Sequence, residues 1–254
     1  MLSTEERRED IIALLREGGR VRTAELAEKY GISEVSIRRD LDYLEMEGHL
    51  TRVHGGAVGV GKTYVNMNLT ERFKTNSLFK KQLARALSSL IEDNDTIILN
   101  SGTTIAYVLH ALEGKRNITI VTNSVQNAAE ASLIPSFNVI LLGGEFDATY
   151  QFTYGENAVL QLENYHAAKC ILSVDGISAE AGLTLFYSTE AALVRKMIES
   201  SREVIVVADS TKVSRCAFAR ITDISRADIL VTNNDAPPEE LGRIEKAGVR
   251  VIKA

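Results

Sequence analysis

Short apolar runs alternate with helical stretches through the C-terminal part of the chain, and this alternation limits the fold more than any other feature. The runs are nearly continuous in Val, Ile and Leu, as strands are when helices cover both faces of a sheet. The pattern therefore predicts an α/β fold with a parallel, Rossmann-like sheet. The predicted strands are Thr96–Leu99, Ile118–Thr122, Asn138–Leu142, Cys170–Val174, Val204–Ala208, Ile229–Val231 and Val249–Ile252.

Helices are predicted between these strands and before them. Ahead of the first strand, the apolar spacing from Leu69 to Ser89 predicts one long or broken helix. Ligands in such folds bind at the carboxyl ends of the strands, so the residues that follow each strand are candidates for function. The helices between the strands are predicted to begin near Thr104, Ser124, Glu156, Thr189 and Pro238.

The residues after the first of these strands combine the features of a phosphate site. Glycine lets the backbone approach a ligand closely, and hydroxyl groups stand beside the free N–H groups of a helix N-terminus, which attract anions. We interpret this segment as a phosphate cradle, with ordinary capping of the helix as the alternative. Its residues are Asn100, Ser101, Gly102, Thr103 and Thr104.

Polar or glycine residues also follow the other strands. An acid, amide or hydroxyl at a strand end often serves only as a loop cap, and a glycine pair often only forms a tight turn. Gathered around one rim, such residues predict a ligand pocket. The candidates are Thr122, Asn123, Gly143, Gly144, Asp175, Gly176, Asp209 and Lys212, together with Glu190, for which an ordinary acid in a first helical turn is the equal alternative.

Near the N-terminus, the segment Ser33–Leu41 predicts a capped helix suited to the major groove of DNA. The Ser33 hydroxyl can cap the helix, and Ile37, Leu41 and Leu44 share the buried face. The outward face offers guanidinium groups for guanine, a hydroxyl and an apolar tip for a thymine methyl. A solvated amphipathic helix is the alternative for this segment taken alone. The outward candidates are Glu34, Val35, Ser36, Arg38 and Arg39.

The preceding residues favour DNA binding. The segment Ser3–Glu6 has the spacing of a capping box and predicts a first helix. Thr23 is predicted to cap a second helix, which Gly31 ends. Two helices joined by a short, glycine-containing turn form a helix-turn-helix.

A hairpin wing is predicted after this motif. Leu50 and Val53 favour a strand and the following glycine pair a turn, so that Arg52, His54 and Gly55 are candidates for contact with phosphate or the minor groove. Taken alone, His54 is also compatible with an ordinary loop histidine.

The charge of this segment limits how it can bind DNA. The whole chain has a net charge of −5, and residues 1–58 contain nine Arg and Lys against twelve Asp and Glu. The predicted DNA footprint is therefore local, and oligomerisation must multiply a small number of phosphate contacts. The basic groups concentrate at Arg20, Arg22, Arg38, Arg39 and Arg52.

Composition limits the remaining classes of function. The only cysteines are Cys170 and Cys216, which argues against a disulfide framework or a cysteine-based zinc site, and we expect no metal or cofactor. The first residues lack an apolar signal region, and we expect a soluble, cytoplasmic protein. We predict domains at 1–58 and 70–254, with a linker at 59–69.

These segments resemble the DeoR family of bacterial transcription regulators. The family's recognition-helix pattern is similar to Ser33–Leu41, with Ser36 where Thr is usual, and its wing to Arg52–Ala57. Asn100 stands where the family commonly has Asp. The blocks similar to the family's sensor domain are Ser101–Thr104, Thr122–Ser124, Leu142–Gly144, Asp175–Gly176, Gly182–Thr184, Glu190–Ala191 and Ala208–Lys212.

The resemblance implies a winged helix-turn-helix followed by a sensor domain related to phosphosugar isomerases. It also implies a phosphorylated sugar or related metabolite as effector, with its phosphate on residues 101–104. We expect a homodimer or homotetramer that binds operator double-stranded DNA as a repressor of a sugar operon. The alternatives are a residual sugar-phosphate isomerase, and an architectural DNA-binding protein whose second domain is purely structural.

Overall fold

The computed structural model describes residues 3–18, 20–46, 50–53, 55–59 and 67–254, which form two compact units at 1–67 and 68–254. Most of the predicted linker, 59–69, and the wing residue His54 lie outside the described residues.

The N-terminal unit packs three helices against a small antiparallel sheet. Helix α3 follows the turn at Gly31, whose φ of 64° is the left-handed conformation expected after a helix end. Ile11, Ile37 and Leu41 are fully buried and form the centre of the core. The sheet order is β1-β3-β2. The elements are α1 (Thr4–Gly18), β1 (Arg20–Arg22), α2 (Thr23–Tyr30), α3 (Glu34–Met46), β2 (Leu50–Val53) and β3 (Gly56–Gly59).

The predicted cap at Thr23 is wrong. The residue before α2 is Arg22, which is extended and makes no side-chain cap hydrogen bond. Thr23 is the first residue of the helix and is buried, and its N–H donates to the Gly55 carbonyl at 2.9 Å. Strand β1, which was not predicted, pairs with β3 of the wing. This pairing fixes the backbone just before α2. Thr23 therefore joins the second helix to the wing.

The second unit is built around one parallel sheet. Its order, β15-β14-β12-β9-β4-β5-β6, confirms the predicted α/β class. The elements are α4 (Leu69–Lys74), α5 (Ser77–Ser88), β4 (Thr96–Leu99), α6 (Thr103–Ala111), β5 (Ile118–Thr122), α7 (Val125–Ser132), β6 (Phe137–Leu141), β7 (Glu145–Asp147), β8 (Phe152–Tyr154), α8 (Glu156–Leu162), β9 (Ala167–Ser173), β10 (Gly176–Ser178), β11 (Gly182–Leu185), α9 (Ser188–Glu199), β12 (Ser201–Val207), β13 (Ala219–Thr222), β14 (Ile229–Thr232), α10 (Pro238–Lys246) and β15 (Arg250–Lys253).

The sheet is apolar on both faces. Ile98 and Cys170 belong to the core on one face, whereas Ile97 and Ile171 belong to the core on the other. The strand order reverses between β4 and β9, because the chain runs from β4 outward to β6 and then returns to β9 on the other side. Such a switch point leaves a crevice at the carboxyl ends of the two strands.

Antiparallel pieces that were not predicted border the carboxyl end of the sheet. Strands β7 and β8 form a hairpin, and β10, β11 and β13 form a second small sheet. These strands have three or four residues each, too short for a clear alternation of apolar and polar residues. The helical segment before β4 breaks at Asn76, which has a φ of 54°.

Candidate functional site

Helix α3 presents the residues that were predicted to read DNA. The N–H of Ser36 donates to Ser33 Oγ at 3.2 Å, which confirms the predicted cap. Val35 is 56% exposed, although burial of an apolar side chain of this size is favourable. The helix therefore offers an unsatisfied apolar tip to the outside.

The two arginines of this helix differ in their contacts. Arg38 Nη2 lies 2.8 Å from Glu34 Oε2, one helical turn away. Arg39 is exposed, and it forms no ion pair with any residue that the structure describes. A guanidinium group without an internal partner can bind a base or phosphate without losing an existing contact, so Arg39 is the better placed of the two.

Asp40 carries a structural role that the sequence analysis did not identify. It is almost completely buried, although it is charged, and Arg7 Nη2 and Arg8 Nε lie 2.7 and 2.9 Å from its two carboxylate oxygens. These contacts attach α3 to α1 at the position next to Arg39. The outward face of α3 is therefore fixed by a buried ionic contact on its inner face.

Arg52 in the wing is bound within its own domain. Its Nε lies 3.0 Å from Asp42 Oδ1, and its Nη1 donates to the Gly56 carbonyl at 2.9 Å. These bonds join the wing to α3 and occupy much of the guanidinium group. Gly55 forms the turn between the strands, with a φ of 76°.

The remaining basic candidates lie on the edge strand β1. Arg20 is exposed, and Arg22 Nη1 lies 3.8 Å from Glu25 Oε1, with both side chains 67% exposed. An ion pair as exposed as this one is weak. Arg22 can therefore exchange Glu25 for a phosphate at little cost.

In the second unit, the candidate residues meet at the switch point of the sheet. Asn100 follows β4, and its amide Nδ2 donates to the Ser173 carbonyl while its Oδ1 accepts from the Ser173 N–H, each at 2.9 Å. This reciprocal pair joins the ends of β4 and β9. Asn100 is therefore a buried clamp between the strands, which also explains why an amide serves here: it both donates and accepts.

The cradle loop leads into α6 without a side-chain cap. Gly102 is the residue before the helix, with a φ of 129°, and no side-chain cap hydrogen bond is formed there. A Cβ at Gly102 would lie 3.2 Å from the Ser173 side chain, so the loop also packs closely against the end of β9. Thr103 and Thr104 are buried in the first turn. Gly102 has no side chain that could cap α6, so the start of this helix is compatible with an anion site.

Lys80 lies directly behind this loop and was not identified from the sequence. Its side chain is only 1% exposed, and Nζ donates to Thr103 Oγ1 at 2.8 Å and to the Arg72 carbonyl. Burial lowers the pKa of Lys80 to about 8, against a smaller opposing effect of Asp209. The signal available in the sequence was a lysine at a helix position that otherwise points into the core.

Asn123 and Glu190 form a second buried polar group at the rim. Asn123 Nδ2 donates to Glu190 Oε1 and to the Thr153 carbonyl, both at 2.9 Å. Its Oδ1 is buried and has no hydrogen-bond partner among the residues that the structure describes. Burial raises the pKa of Glu190, while hydrogen bonds from Asn123 and Ser101 oppose that rise. Glu190 thus connects Asn123 to the cradle loop, and the free amide oxygen can accept a hydrogen bond from a ligand.

The loop after β12 contributes a third group. Lys212 is buried, and its Nζ lies 3.9 Å from Asp175 Oδ1. Burial lowers the pKa of Lys212, while Asp175 and Asp209 oppose this shift. Asp209 accepts from Thr211 N–H at 3.0 Å and orders its own loop. Asn233, after the neighbouring strand β14, accepts from the Ser210 N–H at 3.3 Å and adds a further rim amide that was not predicted.

Several predicted site residues have contacts that explain them structurally. Thr122 Oγ1 accepts from the Ser124 N–H at 3.1 Å, and the Gly143 N–H donates to Gln161 Oε1 at 3.0 Å. A Cβ at Gly144 would lie 2.3 Å from the Tyr154 carbonyl oxygen, and one at Gly176 would lie 2.6 Å from the Arg215 carbonyl oxygen. Both glycines are needed where two backbone segments pass closely.

Arg72 of α4 reaches an aromatic group beside the rim. Its guanidinium carbon lies 4.2 Å from the centre of the Tyr150 ring, and Nη2 donates to the Tyr187 hydroxyl at 3.2 Å. The two tyrosine rings are 4.7 Å apart. A guanidinium over an aromatic face is favourable, and more so when it is buried, as Arg72 is. This contact fixes the first helix of the unit to α9.

In the part of the chain that the structure describes, the His, Cys, Asp and Glu side chains include no group of three that could hold a metal ion. Within the same residues, no helix combines the length and apolar character needed to span a membrane.

Comparison with known proteins assigns both units. Residues 7–63 match a DeoR-like helix-turn-helix domain, and residues 75–234 match a DeoR C terminal sensor domain. A putative aga operon transcriptional repressor of Escherichia coli O157:H7 is 35% identical over 98% of this chain and 93% of its own length. A glycerol-3-phosphate regulon repressor of Escherichia coli K12 is 34% identical over 92% of this chain and 91% of its own length.

Solved structures give weaker likenesses. A probable sor operon regulator from Shigella flexneri is 10% identical, with a TM-score of 0.42 over 68% of this chain and 89% of that one. A ribose 5-phosphate isomerase from Plasmodium falciparum is 18% identical, with a TM-score of 0.40 over 54% of this chain and 52% of that one. Both TM-scores are too low to bear on function.

Proposed function

Because this chain belongs to the DeoR family of helix-turn-helix transcriptional regulators, and not to a family of enzymes, we propose that it represses a sugar uptake or catabolic operon. In this proposal, the N-terminal unit binds operator DNA as part of a homodimer or homotetramer. A phosphorylated sugar or related metabolite binds at the rim of the second unit and alters the affinity for the operator.

The observation that best supports DNA reading is the exposed Arg39, placed by the buried Asp40 and free of ion pairs among the described residues. Arginine binds the two acceptor atoms of guanine in the major groove. We assign base contacts to Arg39 and Arg38, a methyl contact to Val35, and phosphate contacts to Arg20 and Arg22. The contacts of Arg52 support a role in holding the wing in place.

The observation that best supports an effector site is the uncapped start of α6, next to the buried Lys80 and the unpartnered oxygen of Asn123. The helix N-terminus suits a phosphate, and the amide oxygen suits a hydroxyl donor of a sugar or polyol. The name of one relative includes glycerol 3-phosphate, a phosphorylated polyol, which agrees with this ligand class.

A thermal-shift screen of phosphorylated sugars and polyols tests the effector site, because a ligand that binds the folded state raises its apparent stability. Selection of bound sequences from random DNA, followed by affinity measurements, tests operator binding. A protein that no phosphorylated compound stabilises, but that binds specific DNA, would favour an architectural role with a purely structural second domain.

A further inference from the structure

Lys80 is a buried ammonium group with no ion pair among the residues that the structure describes. Its hydrogen-bond partners are a hydroxyl and a carbonyl, which are dipoles and not charges. A buried charge is costly unless an opposite charge compensates it. A negatively charged ligand near this position would compensate the charge of Lys80.

The surroundings of Lys80 add further positive charge. Nζ lies 2.8 Å from Thr103 Oγ1, in the first turn of α6, where the helix dipole adds partial positive charge. The charged groups that act on Lys80 are Asp209 and Lys212 from the loop after β12, and Arg72 from α4. Two of these three are cations, and Asp209 is already bound to the residues of its own loop. An anion at the cradle would compensate this positive charge.

The contact with Thr103 also orients a donor toward a ligand. Since Lys80 donates to Thr103 Oγ1, the hydroxyl hydrogen of Thr103 is directed elsewhere, and its only protein acceptor among the described residues is the Arg72 carbonyl at 3.5 Å. A hydrogen bond of that length is weak. The hydroxyl can therefore turn to a bound anion, while Lys80 supplies charge from behind without reaching the surface.

An independent observation in the same polar cluster indicates a ligand. Within the described part of the chain, Asn123 Oδ1 is buried without a hydrogen-bond partner, and Asn123 is connected through Glu190 to Ser101 of the cradle loop. Leaving a buried acceptor unsatisfied is costly, and a ligand that donates to it would remove this cost. The acceptor and the cradle together indicate a ligand with an anionic group and a hydroxyl donor.

Lys80 also connects the cradle to α4. Its second acceptor is the carbonyl of Arg72, whose guanidinium packs against Tyr150 and bonds to Tyr187. Helix α4 begins at Leu69 and is the first element of the second unit along the chain from the DNA-binding unit. A change in the hydrogen bond between Lys80 Nζ and the Arg72 carbonyl therefore acts directly on α4, at the start of this unit.

We propose that Lys80 supplies the buried positive charge for a phosphate bound at residues 101–104 and, through the Arg72 carbonyl, links occupancy of that site to the position of α4. The inference rests on the proposed effector site and adds a residue and a route of regulation to it. Lys80 acts through Thr103 and Arg72 and is thus a positioning residue.

The test compares Lys80→Met with Lys81→Met in the full chain, with inorganic phosphate as the probe. Methionine keeps the length of the side chain without its charge, and Lys81 is the exposed neighbour on the same helix. We expect phosphate to raise the melting temperature of the wild type and of Lys81→Met equally. In Lys80→Met, the apparent affinity for phosphate should fall by about tenfold or more, because the site loses a full positive charge in a buried environment.

A pH series separates a charge role from a merely structural one. As Lys80 loses its proton between about pH 7 and pH 9, phosphate should stabilise the wild type less, even though phosphate itself becomes more negative. Lys80→Met should not show this fall, which excludes Lys212 as its cause. The wild-type series remains decisive if Lys80→Met does not fold: a stabilisation that grows with pH would overturn the proposal.

Operator affinity provides the test of regulation. The ratio of operator affinities with and without the phosphorylated compound that best stabilises the wild type should fall to about one in Lys80→Met and should keep its wild-type value in Lys81→Met. Equal phosphate binding by both variants would refute the role of Lys80 and leave the effector site intact. If neither inorganic phosphate nor any phosphorylated sugar stabilised the wild type, both the effector site and this inference would be wrong.

Discussion

The helix proposed to read DNA and the proposed effector rim place their candidate groups in opposite environments. On α3 the arginines and Val35 are exposed, and a buried ionic contact at Asp40 holds the helix from behind. At the rim, Lys80, Asn123 and Glu190 are themselves buried. Asn123 donates a hydrogen bond to Glu190, and Lys80 donates one to Thr103. Substitutions on the exposed face of α3 can therefore change its DNA preference without disturbing the fold, whereas substitutions of the buried rim groups also disturb packing.

This difference has a thermodynamic consequence. Substitutions on an exposed helix face usually change the free energy of unfolding by about 0.5 kcal/mol or less, whereas loss of a buried polar partner costs several times more. Changes at the outward face of α3 should therefore alter binding alone. Changes behind α3 or at the rim should alter stability as well.

The largest effect is expected behind the recognition helix. Asp40→Ala leaves Arg7 and Arg8 without their shared carboxylate and should lower the free energy of unfolding of the N-terminal unit by about 3 kcal/mol, since removing one member of a buried ion pair is strongly destabilising. Urea denaturation measures this. Asp42→Ala is the control, because Asp42 is exposed and its pair with Arg52 is weaker. Equal losses in the two variants would contradict the clamp.

Gly144→Ala should lower the free energy of unfolding of the second unit by about 2 kcal/mol, because a Cβ there would meet the Tyr154 carbonyl oxygen at 2.3 Å. Gly114→Ala, with no atom within 4 Å of its Cβ, is the matched control and should be nearly neutral. Thermal denaturation compares the two. A neutral Gly144→Ala that abolishes effector binding would assign this glycine to the ligand.

Arg39→Ala should weaken operator binding by about tenfold, or about 1.4 kcal/mol, at unchanged stability. Arg38→Ala should cost less, because Arg38 must first give up its contact with Glu34. Fluorescence anisotropy with the selected operator measures both. A larger loss for Arg38 would reverse the assignment of the two arginines, and no loss for either would remove α3 from the interface.

The buried lysine predicts a dependence of stability on pH. The pKa of Lys80 is lowered to about 8 in the folded chain, so the unfolded chain binds the proton more tightly. Stability should therefore rise between about pH 8 and pH 10, by about 1 kcal/mol per pH unit, relative to Lys80→Met. Denaturation at several pH values measures the difference. A flat difference would mean that Lys80 has an ordinary pKa.

The smallest effect is expected for Glu34→Gln. This change removes a negative charge from the DNA-facing helix and frees Arg38, and should strengthen operator binding by about 0.5 kcal/mol. The gain should diminish at high salt. Weaker binding in this variant would instead indicate that Glu34 itself contacts the operator.

The central helices and strands could be predicted from the sequence, because the spacing of apolar residues within each element indicates its type. The apolar face of α3 is set by Ile37, Leu41 and Leu44, and the buried residues at the centre of the sheet strands are mostly Val, Ile and Leu. The ends of the strands were therefore placed well enough to identify the rim. The order of the strands, and with it the contact between Asn100 and Ser173, depends on pairing between distant segments that no local pattern records.

The failures have specific physical causes. Thr23 has the residue type of a cap, but β1 fixes Arg22 in that position and uses the backbone of Thr23 for the wing. Lys80 was missed because a lysine in a helix is usually exposed, and only the tertiary contact with Thr103 reveals its burial. The structural role of each of these two residues depends on a partner that is distant in the sequence.

Operator affinity measured with and without the best-stabilising phosphorylated sugar tests whether the second unit controls DNA binding. We expect a change of about 5–150-fold in the wild type, which corresponds to a coupling free energy of about 1–3 kcal/mol. A folded Thr103→Val variant should bind the operator equally well and show no such change, because the cradle loses its hydroxyl donor. An unchanged operator affinity in a wild-type chain saturated with that sugar would mean that the effector does not control DNA binding.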